Sequence, residues 1–156
     1  MTATDDIYWP YFKALAESQD EVTSVRLSDG DRMERLMNAS VSEKIYPAVF
    51  SMRPKYKISD NGAEQFSAVF AVTFYVFCQS DAHDEASQDA AFDQAETIAL
   101  AMLQQMKQDH LTTDGVDFDY NSANLEPVTM MTLDSTQGYE VKLRLALVAT
   151  SIFERS

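Results

Sequence analysis

The stretch QFSAVFAVTFYVF, residues 65–77, decides how the rest of the chain is read. Its even positions Phe66, Ala68, Phe70, Val72, Phe74 and Val76 are all apolar, and alternate residues of a strand share a face, so one face is core. The odd positions Ser67, Val69, Ala71, Thr73, Tyr75 and Phe77 are small, hydroxylic or amphipathic. That composition suits a face covered in part by another chain or lying near a rim. At about 3.3 Å per residue the stretch reaches roughly 40 Å, against about five or six residues in a usual strand. Such a strand bends or reaches past its own core.

Directly after it comes the longest helical pattern. Phe92, Ala95, Ala99, Met102, Leu103 and Met106 recur at three- and four-residue spacing, with Ile98 at the border and polar residues elsewhere, which makes one apolar stripe on a polar rod. Ser80, Asp81, Asp84 and Glu85 mark its start, and Lys107 and His110 suit the negative end of its dipole. A helix over 84–107 is roughly 36 Å long. It matches the strand in length, as it would if it lay across the sheet.

Upstream, residues 5–19 read as a first helix with Pro10 in its opening turn and Ile7, Tyr8, Tyr11, Phe12, Leu15 and Ala16 on one side. Trp9 anchors the core or sits in an interface. Residues 21–27 alternate as a short strand, and Met33, Leu36 and Met37 suggest one or two helical turns. Ser28 to Asp31 turns the chain; it lacks the spaced ligands and terminal glutamate of a calcium loop. Residues 45–52 form a second apolar strand entered through Tyr46-Pro47, and Arg53-Pro54 suggests a bulge or an edge. Asn61-Gly62 is a strong hairpin signal because a type I′ turn needs positive φ at both central residues. Residues 45–58 should therefore pair antiparallel with 65–78, and the tip of so long a hairpin projects.

Downstream, 116–120 reads as a short strand or an ordered loop, 125–133 as a strand with Pro127 near its start, and 134–138 as a hairpin loop. In the last strand Tyr139, Val141, Leu143, Leu145, Leu147 and Ala149 alternate with Glu140, Lys142 and Arg144, and from Ala146 both faces turn apolar. The expected architecture is α+β, one domain over 1–156. Its antiparallel sheet has about four main strands made of two hairpins, with the long helix across one face and the N-terminal helix beside it.

Acidic residues exceed basic ones 25 to 12, for a formal net charge of −13, which opposes binding to phosphate backbones and anionic membranes. With no bilayer-length apolar run and no signal-peptide pattern, synthesis and retention in the cytosol are expected. Cys78 is the single cysteine, so neither an internal disulfide nor a cysteine zinc site is available. Cys78, Asp81, His83, Asp84 and Glu85 gather at the strand–helix junction. They make a helix cap with an acidic first turn, or, if they converge, a metal site. No glycine-rich phosphate loop, nucleophile elbow or paired histidines occur. No catalytic residue, metal ligand or cofactor is therefore assigned. Eight methionines could make an adaptable binding surface, but Met102, Met106, Met130 and Met131 fall on elements whose neighbours are core and read as packing.

In element order the chain resembles the tail terminator and tail-completion proteins of long-tailed bacteriophages. The matching features are the N-terminal helix, Tyr46-Pro-Ala-Val-Phe50 leading into a strand, and Phe74-Tyr-Val-Phe77 ending a long hairpin. The acidic cap with the helix of residues 91–106, and Gly138-Tyr-Glu-Val-Lys-Leu-Arg-Leu145 closing the sheet, complete them. The segments 27–45 and 107–125 depart from the pattern. The resemblance implies a structural virion protein assembled in the host cytoplasm, a ring usually of six subunits. Such a ring caps the tail tube, ends its polymerisation and meets the head connector, with DNA passing through its lumen unbound. Tyr56, Ile58, Asn61 and Gly62 in the projecting hairpin are the expected subunit contacts. Another head–tail joining or tube component, or a small metal-binding domain at Cys78–Glu85, are the alternatives.

Overall fold

The computed structural model describes residues 1–29, 45–60, 62, 65–130 and 135–153. A π-helical turn Thr4–Tyr8 runs into α1 (Trp9–Glu17), followed by β1 (Ser24–Ser28), β2 (Ala48–Met52), β3 (Lys55–Asp60) and β4 (Phe66–Gln79). Then come α2 (Glu85–Thr112), β5 (Val116–Met130), β6 (Thr136–Val148) and a 3-10 turn Thr150–Phe153. The strands form one six-stranded sheet of order β1-β2-β4-β6-β5, with β3 also on β4. The expected turn around Asp31, the helical turns at Met33, Leu36 and Met37, and part of the 134–138 loop lie outside the described residues.

The fold is α+β, but the expectation of about four antiparallel strands is wrong on two counts. The sheet has six strands, and it is mixed, because β1 runs parallel to β2 from Ser24 opposite Ala48 to Ser28 opposite Met52. A parallel neighbour needs a crossover of about a dozen residues or more, and the connection from Ser28 to Ala48 is long enough to supply one. The short alternation of residues 24–28 shows a strand without revealing its direction. Residues 116–130 likewise make one strand in place of two pieces, with a register shift between Asp119 and Asn124 that absorbs the extra residues as a bulge.

β4 is paired along both edges. On one side β6 follows it from Ser67 opposite Val148 to Gln79 opposite Thr136. On the other, β2 takes Phe74 to Phe77 and β3 takes Phe66 to Ala71, both antiparallel. Residues 52–54 face residues 72 and 73 where the two halves meet, an excess of one that kinks the strand at Arg53-Pro54.

The even residues of β4 make the core, as their pattern predicts: Ala68, Phe70, Val72, Phe74 and Val76 are buried. The π-helical turn supplies Tyr8 and α1 supplies Phe12, whose rings lie 5.2 Å from Phe70 and 5.3 Å from Phe74 respectively. Full burial of such a side chain contributes about 1.5–3 kcal/mol. α2 begins at Asp84, whose Oδ1 accepts a hydrogen bond from the Ala86 amide at 3.0 Å, and spans roughly 42 Å. It buries Ala91, Ala95 and Ala99 at four-residue spacing, with Ile98, Met102, Leu103 and Met106; the alanines let the rod approach the sheet closely. Ile98, expected at the border, is fully within the core, and Phe92 is half-buried, its ring edge-on to Tyr139. Trp9 is half-buried against the core.

Tyrosine hydroxyls tie the layers together. Tyr8 shares a buried 2.6 Å hydrogen bond with Ser51 of β2, Tyr11 donates to Asp109 of α2 at 2.6 Å, and Tyr139 of β6 donates to Glu96 of α2 at 3.4 Å. Burial is the first cause that raises each of these phenols above its ordinary value, and the Asp109 and Glu96 carboxylates add to it for Tyr11 and Tyr139. Burial likewise pushes Tyr75 and Cys78 up to about 12, assisted by Glu140 and Glu21 respectively. All five groups hold their protons more tightly folded than unfolded. Their contribution is complete below the unfolded values, about 8.5 for Cys and about 10 for Tyr, and declines above them, being lost for Tyr75 and Cys78 as pH rises through about 12. Urea midpoints should therefore stay level near pH 8 and fall steadily above it; a midpoint unchanged at pH 11 would contradict the layer-tying role of these hydroxyls.

Candidate assembly surface

β3 is held to the sheet by β4 alone, and every one of its residues is exposed. Its even residues continue the helix-side face beyond the helices: Tyr56 lies opposite Phe70 and Ile58 opposite Ala68. The Tyr56 ring rests 5.3 Å from that of Phe70, yet Tyr56 and Ile58 remain 43% and 40% exposed. Gly62 follows with φ +82°, the left-handed region expected of it, and its amide donates to Asp60 Oδ1 at 2.8 Å. Asn61 lies outside the described residues. Asp60 lies opposite Phe66, and most of the connection between the two strands, with the expected Asn61-Gly62 turn, falls outside the described residues.

The opposite face of the sheet divides into two parts. At one end Ile45, Ala48, Phe50 and Phe77 form a small second core with Tyr46, Met52, Tyr75 and Val128 around it. The Tyr75 hydroxyl donates to Glu140 there at 2.6 Å. At the other end no element of the described residues covers the sheet. Ala71 belongs to a strand paired on both sides, between Lys55 and Arg144, and is nevertheless exposed. Val69 sits beside it between Lys57 and Ala146. Val69 and Ala146 floor an open depression of about 440 Å³ walled by Lys57, Ser59, Arg144, Asp117 and Asp119, and Ala71 lies next to it between Lys55 and Arg144.

Charge is arranged unevenly along its rims. Arg144 Nη2 is 3.1 Å from Asp119, Lys142 is 3.5 Å from Glu140, and Asp117 is 3.3 Å from the His110 imidazole. Lys55 and Lys57 have no ion-pair partner among the described residues. An otherwise acidic molecule therefore presents two unpaired cations side by side on β3. The sequence shows them as the alternate residues Lys55 and Lys57, a signal that a reading centred on Tyr56 and Ile58 passes over.

The residues at the strand–helix junction serve the backbone. Cys78 is buried on the helix side of β4 with its thiol protonated. Asp81 Oδ1 accepts from the His83 amide at 2.9 Å, and Asp84 caps α2. Among the described residues no three His, Cys, Asp or Glu side chains are placed to hold one metal ion, and no helix is long and apolar enough to cross a membrane. No protein-family model and no curated protein matches the chain.

Two glycines on this surface differ in what they protect. A Cβ at Gly138 would lie 2.0 Å from the Val76 carbonyl oxygen and 2.8 Å from the Phe77 ring, so Gly138→Ala must push β6 off β4. A Cβ at Gly62 meets nothing within 4 Å, and only its φ of +82° opposes a side chain. Gly138→Ala should cost about 2–3 kcal/mol and Gly62→Ala about 1 kcal/mol in urea unfolding. Equal losses would contradict the close approach of β6 to Phe77.

Proposed function

We propose that this protein is a structural component of a phage virion, a tail terminator that assembles as a ring on the end of the tail tube and meets the head connector. The observation that carries the reading is that, among the described residues, one end of the sheet's second face has no element packed on it. Ala71 is exposed in a strand with neighbours on both edges, and β3 is exposed throughout. An exposed floor of this kind marks a protein–protein contact. Tyr56 and Ile58 are the apolar residues of the projecting hairpin, and in this reading they contact the neighbouring subunit. A net charge of −13 gives a ring whose lumen repels a DNA backbone instead of holding it.

Light scattering and negative-stain imaging of the purified protein test this directly. Closed rings of one size are expected; open stacks would make the protein a tube component, and a particle of any other form would remove the terminator reading. Tyr56→Glu with Ile58→Glu should leave the circular dichroism spectrum unchanged while weakening assembly by about tenfold or more. Unaltered assembly would take the hairpin out of the interface.

A further inference from the structure

One flank of α2 carries a row of carboxylates that helix capping does not explain. Glu85, Asp89, Asp93 and Glu96 follow one another at spacings of four, four and three, and Leu100, 43% exposed, comes next. At 3.6 residues per turn these five fall within an arc of about 80° and span roughly 22 Å. Glu85, in the first turn, is favoured by the helix dipole, but that effect fades beyond one turn. Asp89 and Asp93 are exposed, and no basic side chain pairs with any of the four among the described residues. Among the described residues Glu96 accepts the Tyr139 hydroxyl and no basic group. Like charges at this spacing each weaken a helix by a few tenths of a kcal/mol. The row costs stability unless cations meet it.

Two cations without an ion-pair partner among the described residues are on the other side of the sheet. Lys55 and Lys57 rise from β3 beside the small-residue floor of Val69, Ala71 and Ala146. Residues 67–73 of β4 give that floor a length of roughly 20 Å, close to the length of the acidic row. The distance from β3 across β4 and β6 to β5 is about 14 Å, enough for a helix about 10–12 Å across. Since α2 covers the opposite face of its own sheet, one molecule cannot bring the row to its own floor.

We infer that the sheet face left open among the described residues is the docking surface for α2 of a second copy of this chain, whose Asp89 and Asp93 meet Lys55 and Lys57 while Leu100 seats farther along the same face. The contact joins two different patches, so each bound copy still offers a free patch of each kind. Repetition of one such step closes a ring when the rotation permits, and the inference thus rests on the ring reading for its biological setting. Exposed ion pairs of this sort are screened by salt, so association weakens as ionic strength rises.

A charge-exchange experiment on the full chain tests it, using two variants at exposed positions: Lys55→Glu with Lys57→Glu, and Asp89→Lys with Asp93→Lys. Light scattering at low ionic strength should show the unaltered protein assembled and each variant alone associating about a hundredfold more weakly. An equimolar mixture should recover assembly, since every contact in it again joins opposite charges. Either variant assembling normally by itself, a mixture no better than its components, or an unaltered protein that stays monomeric at low salt would overturn the docking. Closed rings insensitive to the exchanges would leave the terminator reading standing without this contact. Rescue in open chains or dimers would keep the contact and remove the ring.

Discussion

The pairing of β4 along both edges is the constraint on which the remaining structure depends. A central strand of this length fixes the register of β2, β3 and β6 at once, and a slip of one residue would move Phe70, Phe74 and their neighbours from the core to the open side. Once that register is set, α1 and α2 have only one apolar face to cover. The tyrosine hydroxyls then join helix to strand and helix to helix. Each net hydrogen bond contributes only about 1 kcal/mol, so their part is to fix orientation, while the buried rings of Tyr8, Phe12, Phe70 and Phe74 supply most of the driving force.

The same strand explains why the molecule has an unfinished side. Its odd residues change character along its length, from Ser67, Val69 and Ala71 to Tyr75 and Phe77. The aromatic end is sealed by Phe50 and Ile45, whereas the small-residue end stays bare. Charge follows this division. The chain as a whole is acidic, yet Lys55 and Lys57 border the bare floor, and the longest unpaired row of carboxylates lies on the helix that covers the other face. Opposite charges on opposite faces of one subunit suit a head-to-tail contact better than a two-fold one, which would place each patch against its own kind or leave one idle.

Much of this was legible in the sequence, and the exceptions have physical causes. The alternation in 65–77 and 139–149 gives both central strands and their buried faces, because a strand with one dry face repeats every two residues. The cap at Asp84 and the stripe from Ala95 to Met106 locate α2. The direction of β1 is invisible locally, since parallel and antiparallel pairing use the same residue types over five positions. The bulge after Asp119 depends on how β5 meets β6 and not on any residue within it. Tyr56 and Ile58 lie exposed on β3, but the cations beside them and the acidic row on α2 gain meaning only when the two faces of the sheet are compared. Of the residues once grouped at Cys78–Glu85, the backbone uses Asp81 and Asp84, and Cys78 packs in the core.

The central claim is that the bare sheet face and the acidic side of α2 become buried together, against each other, in an assembly of this chain. Hydroxyl-radical footprinting read by mass spectrometry, at protein concentrations below and above the onset of association, measures this at the side chains concerned. The account predicts that Lys55–Asp60 and the helical segment around Leu100 lose reactivity together as association proceeds, while Leu111, exposed near the end of α2, keeps its own. Protection confined to the outer edge of β5, or to one of the two patches without the other, would contradict it.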